Sequence, residues 1–195
     1  MAGSVTVRMS ATPPAAILDR MNITVQTVPD PHPVDTAWVD EALATTATAE
    51  AIIGRPVGGG AGIMIAAAGE GLFEIVEARR GKGPAPARYM QVVTFDGPRT
   101  AEWAAAEERS ATRLWPAVRD VPGIVWTVRL RAAGNAVTIV TLAESADAID
   151  AAVRAVMSTP LLPGEDPALL TGPDRIGVYH LVHADLPLTP VGSPV

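Results

Sequence analysis

The strongest constraint on this chain is the order of strand-like and helix-like segments in its second half. Short β-branched or alternating runs flank two longer segments that carry caps and a helix-like apolar side. The predicted strands cover residues 88–95, 124–131, 136–142 and 176–183, and the predicted helices cover residues 100–118 and 146–157. The order β-α-β-β-α-β is that of a ferredoxin-like, or split β-α-β, fold. The sequence therefore predicts a complete α+β domain over residues 88–184.

Turn and cap signals separate these segments. Thr100 and Ser145 stand where a side-chain oxygen can cap each helix. Residues 133–135 (Ala-Gly-Asn) are a tight hairpin signal between two strands. Pro116 is expected to kink the first helix or to end it near Trp115, because proline lacks the backbone N–H group. Residues 160–174 predict a long loop, in which Glu165 is a candidate lid carboxylate.

The first half resembles the second when it is shifted by 65 residues without a gap. The matches at turns and at a rare tryptophan are Pro33 with Pro98, Trp38 with Trp103 and Gly58 with Gly123. A fixed-period similarity indicates a repeated structural unit. The alternative is that abundant Ala and Gly residues match by chance.

This register predicts a partial first copy over residues 1–80. It has a strand at 23–28, a helix from Asp35 to about 53, and a hairpin formed by 62–67 and 72–77 that turns at 69–71. The second helix and fourth strand are predicted to be missing, with 5–9 and 15–21 as segments that could fill the vacancy. Residues 81–87 are predicted to be a linker, and residues 185–195 an extended C-terminal arm.

Composition excludes several classes of function. The 195 residues carry a net charge of −6 with no basic stripe, which argues against nucleic-acid binding. There are no cysteines for disulfides, thiolate catalysis or Cys-based metal sites. No apolar run approaches the roughly 20 residues of a membrane span, and the N-terminus is not typical of a secretory signal. We therefore expect a cytoplasmic protein that does not bind membranes.

Few residues are typical of a catalytic site. His180 and His183 lie three apart on the last predicted strand, so alternation places them on opposite faces and they cannot chelate one metal together. His180 is the best acid/base candidate, although a buried, hydrogen-bonded structural histidine is an alternative. Alternation further predicts that His180 and Trp126 point into one apolar space. No HExxH motif is present, so no metal is expected.

Two other polar or glycine-rich runs have simpler interpretations. Residues 58–60 and Gly62 follow a predicted helix and precede a strand, which is the wrong order for a phosphate-binding loop. They are predicted to be a connector. Glu107, Glu108 and Arg109 are predicted to form a solvated helix face with local ion pairs.

The second half resembles the dimeric α/β-barrel superfamily, which includes antibiotic-biosynthesis monooxygenases and polyketide cyclases. The resemblance is carried by Pro122-Gly123 before a strand, Gly134-Asn135 in the hairpin, Glu144-Ser145 at the second helix, and a final strand over 176–182. It implies two sheets that pack into a barrel, usually across a homodimer. The 65-residue register suggests that one chain holds both halves.

The resemblance also implies a function. Such monooxygenases hold a flat aromatic substrate between pocket Trp, Asn and Arg side chains, and the matching residue types here are Trp126, Trp103, Tyr89 and Arg129. It implies a reaction in secondary metabolism that needs no cofactor, with His180 as proton acceptor. The alternative is a non-catalytic barrel that binds a ligand or partner. A haem-degrading relative would require an axial histidine on a helix, and no predicted helix contains one.

Overall fold

The computed structural model describes residues 22–28, 37–46, 50–67, 72–84 and 86–185. Within these residues the chain forms eight β-strands and three α-helices. In chain order they are β1 (Asn22–Val28), α1 (Ala37–Thr46), β2 (Ala51–Pro56), β3 (Gly62–Ala67), β4 (Phe73–Arg80), β5 (Tyr89–Phe95), α2 (Ala101–Arg119), β6 (Ile124–Ala132), β7 (Val137–Ala143), α3 (Ala146–Ser158) and β8 (Arg175–Ala184).

The eight strands close into one barrel in the order β1-β3-β2-β8-β5-β7-β6-β4. Every neighbouring pair is antiparallel. The second half contributes the order β8-β5-β7-β6, which is the predicted ferredoxin-like arrangement. The first half contributes the equivalent order β4-β1-β3-β2, so the same strand order occurs twice in one chain.

Two seams join the halves and close the barrel. Strand β2 pairs with β8, where Ile53 lies opposite His183. Strand β4 pairs with β6, where Ile75 lies opposite Leu130. The barrel therefore closes within a single chain, and closure does not require the homodimer that the resemblance implies.

One hydrophobic core fills the barrel interior, and all eight strands contribute to it. Its buried members are Ile23, Ile52, Ile65, Ala78, Ala87, Met90, Val92, Val125, Trp126, Val128, Leu130, Val140, Leu142, Leu181 and Ala184. Side chains alternate between the two faces of a strand. The predicted alternation in β6 is confirmed in this way, because Trp126, Val128 and Leu130 face inward.

The local signals of the second half are confirmed. The Thr100 hydroxyl accepts a hydrogen bond from the Trp103 backbone N–H at 3.2 Å, and the Ser145 hydroxyl accepts one from Ala148 at 3.1 Å. Gly134 has a φ of 69°, as the hairpin turn requires. The helix continues through Pro116 to Arg119, so the predicted extent is confirmed, and of the two alternatives for Pro116 an end near Trp115 is wrong.

The predicted hairpin of the first half is wrong. Helix α1 ends at Thr46, and residues 51–56 form β2, whose apolar side chains are buried on both faces of the sheet. Strand β3 lies between β1 and β2, and β4 pairs with β1 and β6. The hairpin is therefore β2–β3, and residues 58–60 lie in its turn, with Gly59 at φ 82° and Gly60 at φ 101°.

The 65-residue register consequently aligns strands that are not equivalents. It places β3 on β6, whereas the strand order makes β3 the counterpart of β7. The fourth strand that was predicted to be missing is β4. Five residues, 68–72, separate β3 from β4, whereas α3 between β7 and β8 has 13 residues. The N-terminal filling segments, Asp35, the 69–71 turn and residues 186–195 of the arm lie outside the described residues.

No helix in the described part of the chain is long and apolar enough to cross a membrane.

Because both halves share one core, we expect them to unfold together. Replacing Leu130, which is 1% exposed at the β4–β6 seam, with alanine should lower the free energy of unfolding by about 2–5 kcal/mol. Leu72→Ala is the matched control, since Leu72 is 75% exposed and should change stability by less than about 0.5 kcal/mol. Chemical denaturation followed by fluorescence and circular dichroism measures both. Two separated transitions in the parent protein would contradict a shared core.

Candidate functional site

A cavity of about 290 Å³ lies between the outer face of the second-half sheet and helices α2 and α3. Strands β4, β5, β6, β7 and β8 form its floor, and the two helices form its roof. Its lining residues are Glu77, Arg79, Gln91, Val93, Phe95, Glu107, Ser110, Ala111, Leu114, Trp115, Val118, Thr127, Arg129, Ile139, Thr141, Ala152, Val153, Val156, Met157, Pro173 and Ile176. Glu77 and Arg79 belong to β4, so the first half of the chain completes the site.

The floor consists of rows of side chains that run across paired strands. Strand pairing aligns Arg79 with Thr127, Thr127 with Thr141, and Thr141 with Gln91. This first row is polar throughout. The second row is mixed, and it contains Glu77, Arg129, Ile139, Val93 and Ile176. The floor is therefore polar along one line and increasingly apolar along the next.

Small side chains of the roof leave the space open. Helix α2 presents Ser110 and Ala111 to the cavity, and α3 presents Ala152. Larger groups close the sides, including Leu114 and Trp115. The Arg79 guanidinium carbon lies 5.4 Å from the centre of the Trp115 ring, which is cation–π distance.

The rim of the cavity on the α3 side is apolar and exposed. Val153 is 40% exposed, Met157 80% and Ile176 60%, and all three also line the cavity. An apolar rim of this kind favours contact with an apolar ligand over contact with an ion.

A buried ion-pair network lies at one side of the cavity. Arg129 is 4% exposed. Its Nη1 donates to Glu107 Oε2 at 2.8 Å, and its Nη2 donates to Glu108 Oε1 at 2.6 Å. Glu107 is 8% exposed, so the predicted solvated, local ion pairs are wrong for this residue. The pairs instead join helix α2 to strand β6.

The environment shifts the pKa values of the two acids of this network, Glu107 and Glu108, in opposite directions. Burial raises the pKa of Glu107, although the positive charge of Arg129 opposes the shift. The hydrogen bond from Arg129 lowers the pKa of the more exposed Glu108. Glu107 is therefore a cavity-lining carboxyl that retains its proton at higher pH than an ordinary glutamate.

Arg129 is the predicted site residue that lines the cavity. Trp126, one strand position from Thr127, points the other way into the barrel interior and is 2% exposed. The Trp126 indole N–H finds no hydrogen-bond partner within the described residues. Trp126 therefore fills the barrel core rather than the cavity.

His180 and Tyr89 lie together but outside the cavity lining. Their ring centres are 4.9 Å apart, on the side of the sheet where Tyr89 and Val178 pack against the α3 cluster. Strand β8 sends Tyr179 and Leu181 into the barrel, so the intervening His180 faces outward. The prediction that His180 and Trp126 share one space is wrong, because the apolar faces of β6 and β8 that carry them are opposite faces of the sheet.

Trp103 lies behind one end of the cavity. It is 6% exposed, and its ring centre is 5.6 Å from that of Phe95, which lines the cavity. The Arg99 guanidinium carbon lies 5.2 Å from the Trp103 ring centre. Trp103 thus supports the wall without contributing to the lining.

The predicted long loop is fastened near both ends. Arg113 Nε lies 2.8 Å from Glu165 Oε2, and both side chains are less than 10% exposed. Asp174 Oδ2 accepts a hydrogen bond from the Asp96 backbone N–H at 2.8 Å. Glu165 therefore holds the loop against α2 instead of pointing into the cavity.

No group of three or more His, Asp or Glu side chains is placed to hold a metal in the part of the chain that the structure describes. That the protein binds no metal and no cofactor stays a prediction from the sequence.

The fold is that of the ferredoxin-fold proteins related to antibiotic-biosynthesis monooxygenases. Solved structures that share it include proteins described as monooxygenase-like, anthrone oxidase-like and heme-degrading. The resemblance inferred from the sequence is thus confirmed at the level of the fold. No protein-family model matches the chain, and no curated protein sequence matches it.

Three of these structures illustrate the likeness. A Listeria monocytogenes ferredoxin-fold protein related to antibiotic-biosynthesis monooxygenases is 10% identical with a TM-score of 0.56, over 86% of this chain and 98% of its own. An anthrone oxidase-like protein is 14% identical with a TM-score of 0.51, over 85% and 93%. A major regulator of staphylococcal pathogenesis is 11% identical with a TM-score of 0.57, over 81% and 97%. Each match spans both halves of this chain.

Substitutions of Trp126 in the barrel core and of Met157 at the cavity rim should affect the stability of the protein differently. Trp126→Ala should lower the free energy of unfolding by about 3–5 kcal/mol, because it empties part of the barrel core. Met157→Ala, at an exposed rim position, should change it by less than about 0.5 kcal/mol. Denaturant titration of both variants provides the comparison. A Trp126→Ala variant as stable as the parent would show that Trp126 does not fill the core.

Proposed function

We propose that the cavity binds a flat, hydrophobic aromatic small molecule and that the protein acts on it as a cofactor-independent monooxygenase or cyclase in secondary metabolism. The observation that carries the proposal is a buried carboxyl of raised pKa, Glu107, in the wall of a mainly apolar cavity. An apolar cavity with a few convergent polar groups and a perturbed ionisable residue is the usual form of a small-molecule site.

The size of the cavity supports a compact ligand. About 290 Å³ is at the lower end of ligand cavities, which span about 300–1,000 Å³. Val93 and Ile139 on the floor and Leu114 on the roof provide apolar surfaces on both sides of a ring system. The anthrone oxidase-like neighbour suggests anthrone, a tricyclic ketone, as a test substrate.

Glu107 is suited to remove a proton from such a substrate. In this reaction Glu107 accepts a proton from a ring CH₂ group, and the carbanion transfers an electron to molecular oxygen. Formation of the C–O bond gives a peroxide anion, which takes up the proton from Glu107 to become a hydroperoxide. Removal of the second C–H proton with cleavage of the O–O bond then releases water and leaves a ketone. The net change is CH₂ + O₂ to C=O + H₂O, with oxygen as the oxidant. A cyclase would use the same carbanion for carbon–carbon bond formation without oxygen.

Arg129 is positioned to stabilise the charge that forms. While Glu107 is ionised, its carboxylate offsets the positive charge of Arg129 at 2.8 Å. When Glu107 takes up the proton, that compensation is lost at the moment the substrate becomes an anion. The Arg129 guanidinium is then paired with one carboxylate fewer, since only Glu77 and Glu108 remain, and it stabilises a substrate oxyanion more strongly.

His180 as proton acceptor stays a prediction, and it competes with Glu107. The His180 ring packs on Tyr89, and neither residue is part of the cavity lining. For this reason we place the base at Glu107. Tyr89, Trp103 and Trp126 are, by the same geometry, less suited than Trp115 to contact a ligand directly.

The second candidate function is ligand binding without turnover. It is favoured by the contacts of Arg129, whose guanidinium lies within 4 Å of the carboxylates of Glu77, Glu107 and Glu108. Because these three carboxylates already pair with Arg129, less of its charge is available to stabilise a substrate anion. Haem degradation is not proposed, since the described helices α1, α2 and α3 contain no histidine to serve as an axial ligand. The homodimer implied by the resemblance stays a prediction.

Glu107→Gln should reduce anthrone oxidation by about 10²- to 10⁴-fold, the usual contribution of a general base. Oxygen consumption and quinone absorbance measure the rate. Glu102→Gln, on an exposed position of the same helix, is the matched control and should be unchanged. If His180→Ala abolishes turnover while Glu107→Gln does not, His180 is the base. Binding of anthrone without turnover by the parent protein would support the second candidate.

The pH dependence follows from the raised pKa of Glu107. The base is active only when ionised, so the rate should fall as the pH drops through that pKa, at a higher pH than the ordinary glutamate value of about 4.3. The profile of kcat/KM for the free enzyme provides the measurement. An acidic limb at or below the ordinary value would rule out a buried, raised Glu107 as the base.

A further inference from the structure

Three polar side chains lie side by side in the cavity floor. Thr127 of β6, Thr141 of β7 and Gln91 of β5 are direct partners across neighbouring antiparallel strands. Neighbouring strands are about 4.8 Å apart, so the row spans about 10 Å. That length is comparable with the long edge of a small fused-ring system.

The hydrogen-bonding capacity of this row is not used by the protein. Thr127 Oγ1 is buried and has no partner within the described residues. Thr141 is 8% exposed and Gln91 9%, and neither side chain forms a hydrogen bond to another residue in the described ranges. Buried polar groups are nearly always hydrogen-bonded. Thr141 and Gln91 in the cavity wall are therefore available to an oxygen atom of a ligand. The covered Thr127 hydroxyl becomes available when it rotates toward the cavity that its side chain lines.

The charges around the row balance one another. The cavity-lining cations are Arg79 and Arg129, and the cavity-lining carboxylates are Glu77 and Glu107. Arg79 pairs with Glu77, and Arg129 pairs with Glu107. No uncompensated positive charge remains in the lining to hold an anionic ligand.

We infer that the row of Thr127, Thr141 and Gln91 is a subsite for a carbonyl or hydroxyl oxygen, and that it selects uncharged polycyclic ketones or phenols. The inference rests on the proposed function in that it requires the cavity to bind a small molecule. The row donates hydrogen bonds to the ring oxygen, while Val93 and Ile139 of the adjacent row contact the ring face. The subsite thus determines which ligands bind and in which orientation.

The test compares two ligands that differ by one carbonyl oxygen, 9-fluorenone and fluorene, by equilibrium dialysis with the full-length protein. One neutral hydrogen bond corresponds to about a three- to tenfold difference in Kd, so fluorenone should bind about three- to tenfold more tightly. The double variant Thr127→Val/Thr141→Val keeps the side-chain shape and removes two of the three polar groups of the row, so it should reduce the difference; an undiminished difference would refute the subsite. Thr138→Val is the matched control, because Thr138 lies on β7 at a buried position that does not line the cavity.

The outcomes separate this inference from the proposed function. If the parent protein binds neither ligand, the cavity is not a site for such molecules and the proposed function fails. If it binds both equally, the cavity is a ligand site but the subsite is refuted. Fluorenone-4-carboxylate should bind at least about tenfold more weakly than fluorenone; tighter binding would refute the selection of uncharged ligands. The comparison in the parent protein remains informative even if the double variant does not fold.

Discussion

The two seams between the halves determine most of what this structure contains. Each half has a four-stranded sheet with two open edges, and an open edge exposes unpaired backbone N–H and C=O groups. Pairing β2 with β8 and β4 with β6 satisfies these groups and turns both sheets inward onto one core. The second seam also brings Glu77 and Arg79 of the first half beside Thr127 and Arg129 of the second. The β4–β6 pairing that closes the barrel therefore also completes the lining of the cavity.

The halves are equivalent in strand order but not in their outer layers. The first half is covered by α1, which packs Val39 and Ala42 on the sheet. The second half carries two helices, and the small residues on their inner sides leave the cavity between them. A pocket therefore forms where two helices bridge one sheet face. The fold alone does not assign a function to this pocket, since the same fold occurs in a regulator and in an oxidase-like protein. The function has to be argued from the chemistry of the site.

Much of the second half could be predicted because its signals are local. Caps at Thr100 and Ser145 and the Gly134 turn depend on a few neighbouring residues. The prediction of the first half was wrong where one local pattern was compatible with two structures. Residues 51–53 are apolar enough to continue a helix or to form a strand, and their burial on both sheet faces favours the strand.

The prediction of the candidate site was wrong for a related reason. Alternation assigns residues to two faces correctly, but only the arrangement of helices shows which face is the barrel interior and which is the cavity. The polar outward residues of β5, β6 and β7 were the available signal, since polar side chains under an apolar helix layer indicate a cavity.

The fastened loop over residues 160–174 has a consequence for how quickly a ligand could enter. Because Arg113–Glu165 and Asp174–Asp96 hold the loop near both ends, the route into the cavity passes the exposed side chains of the rim, such as Met157, rather than a moving backbone segment. Rotamer changes of exposed side chains take picoseconds to nanoseconds, whereas lid opening takes microseconds or longer. Ligand exchange would then be limited by diffusion and by release of water from the apolar rim, and the residence time would reflect affinity alone.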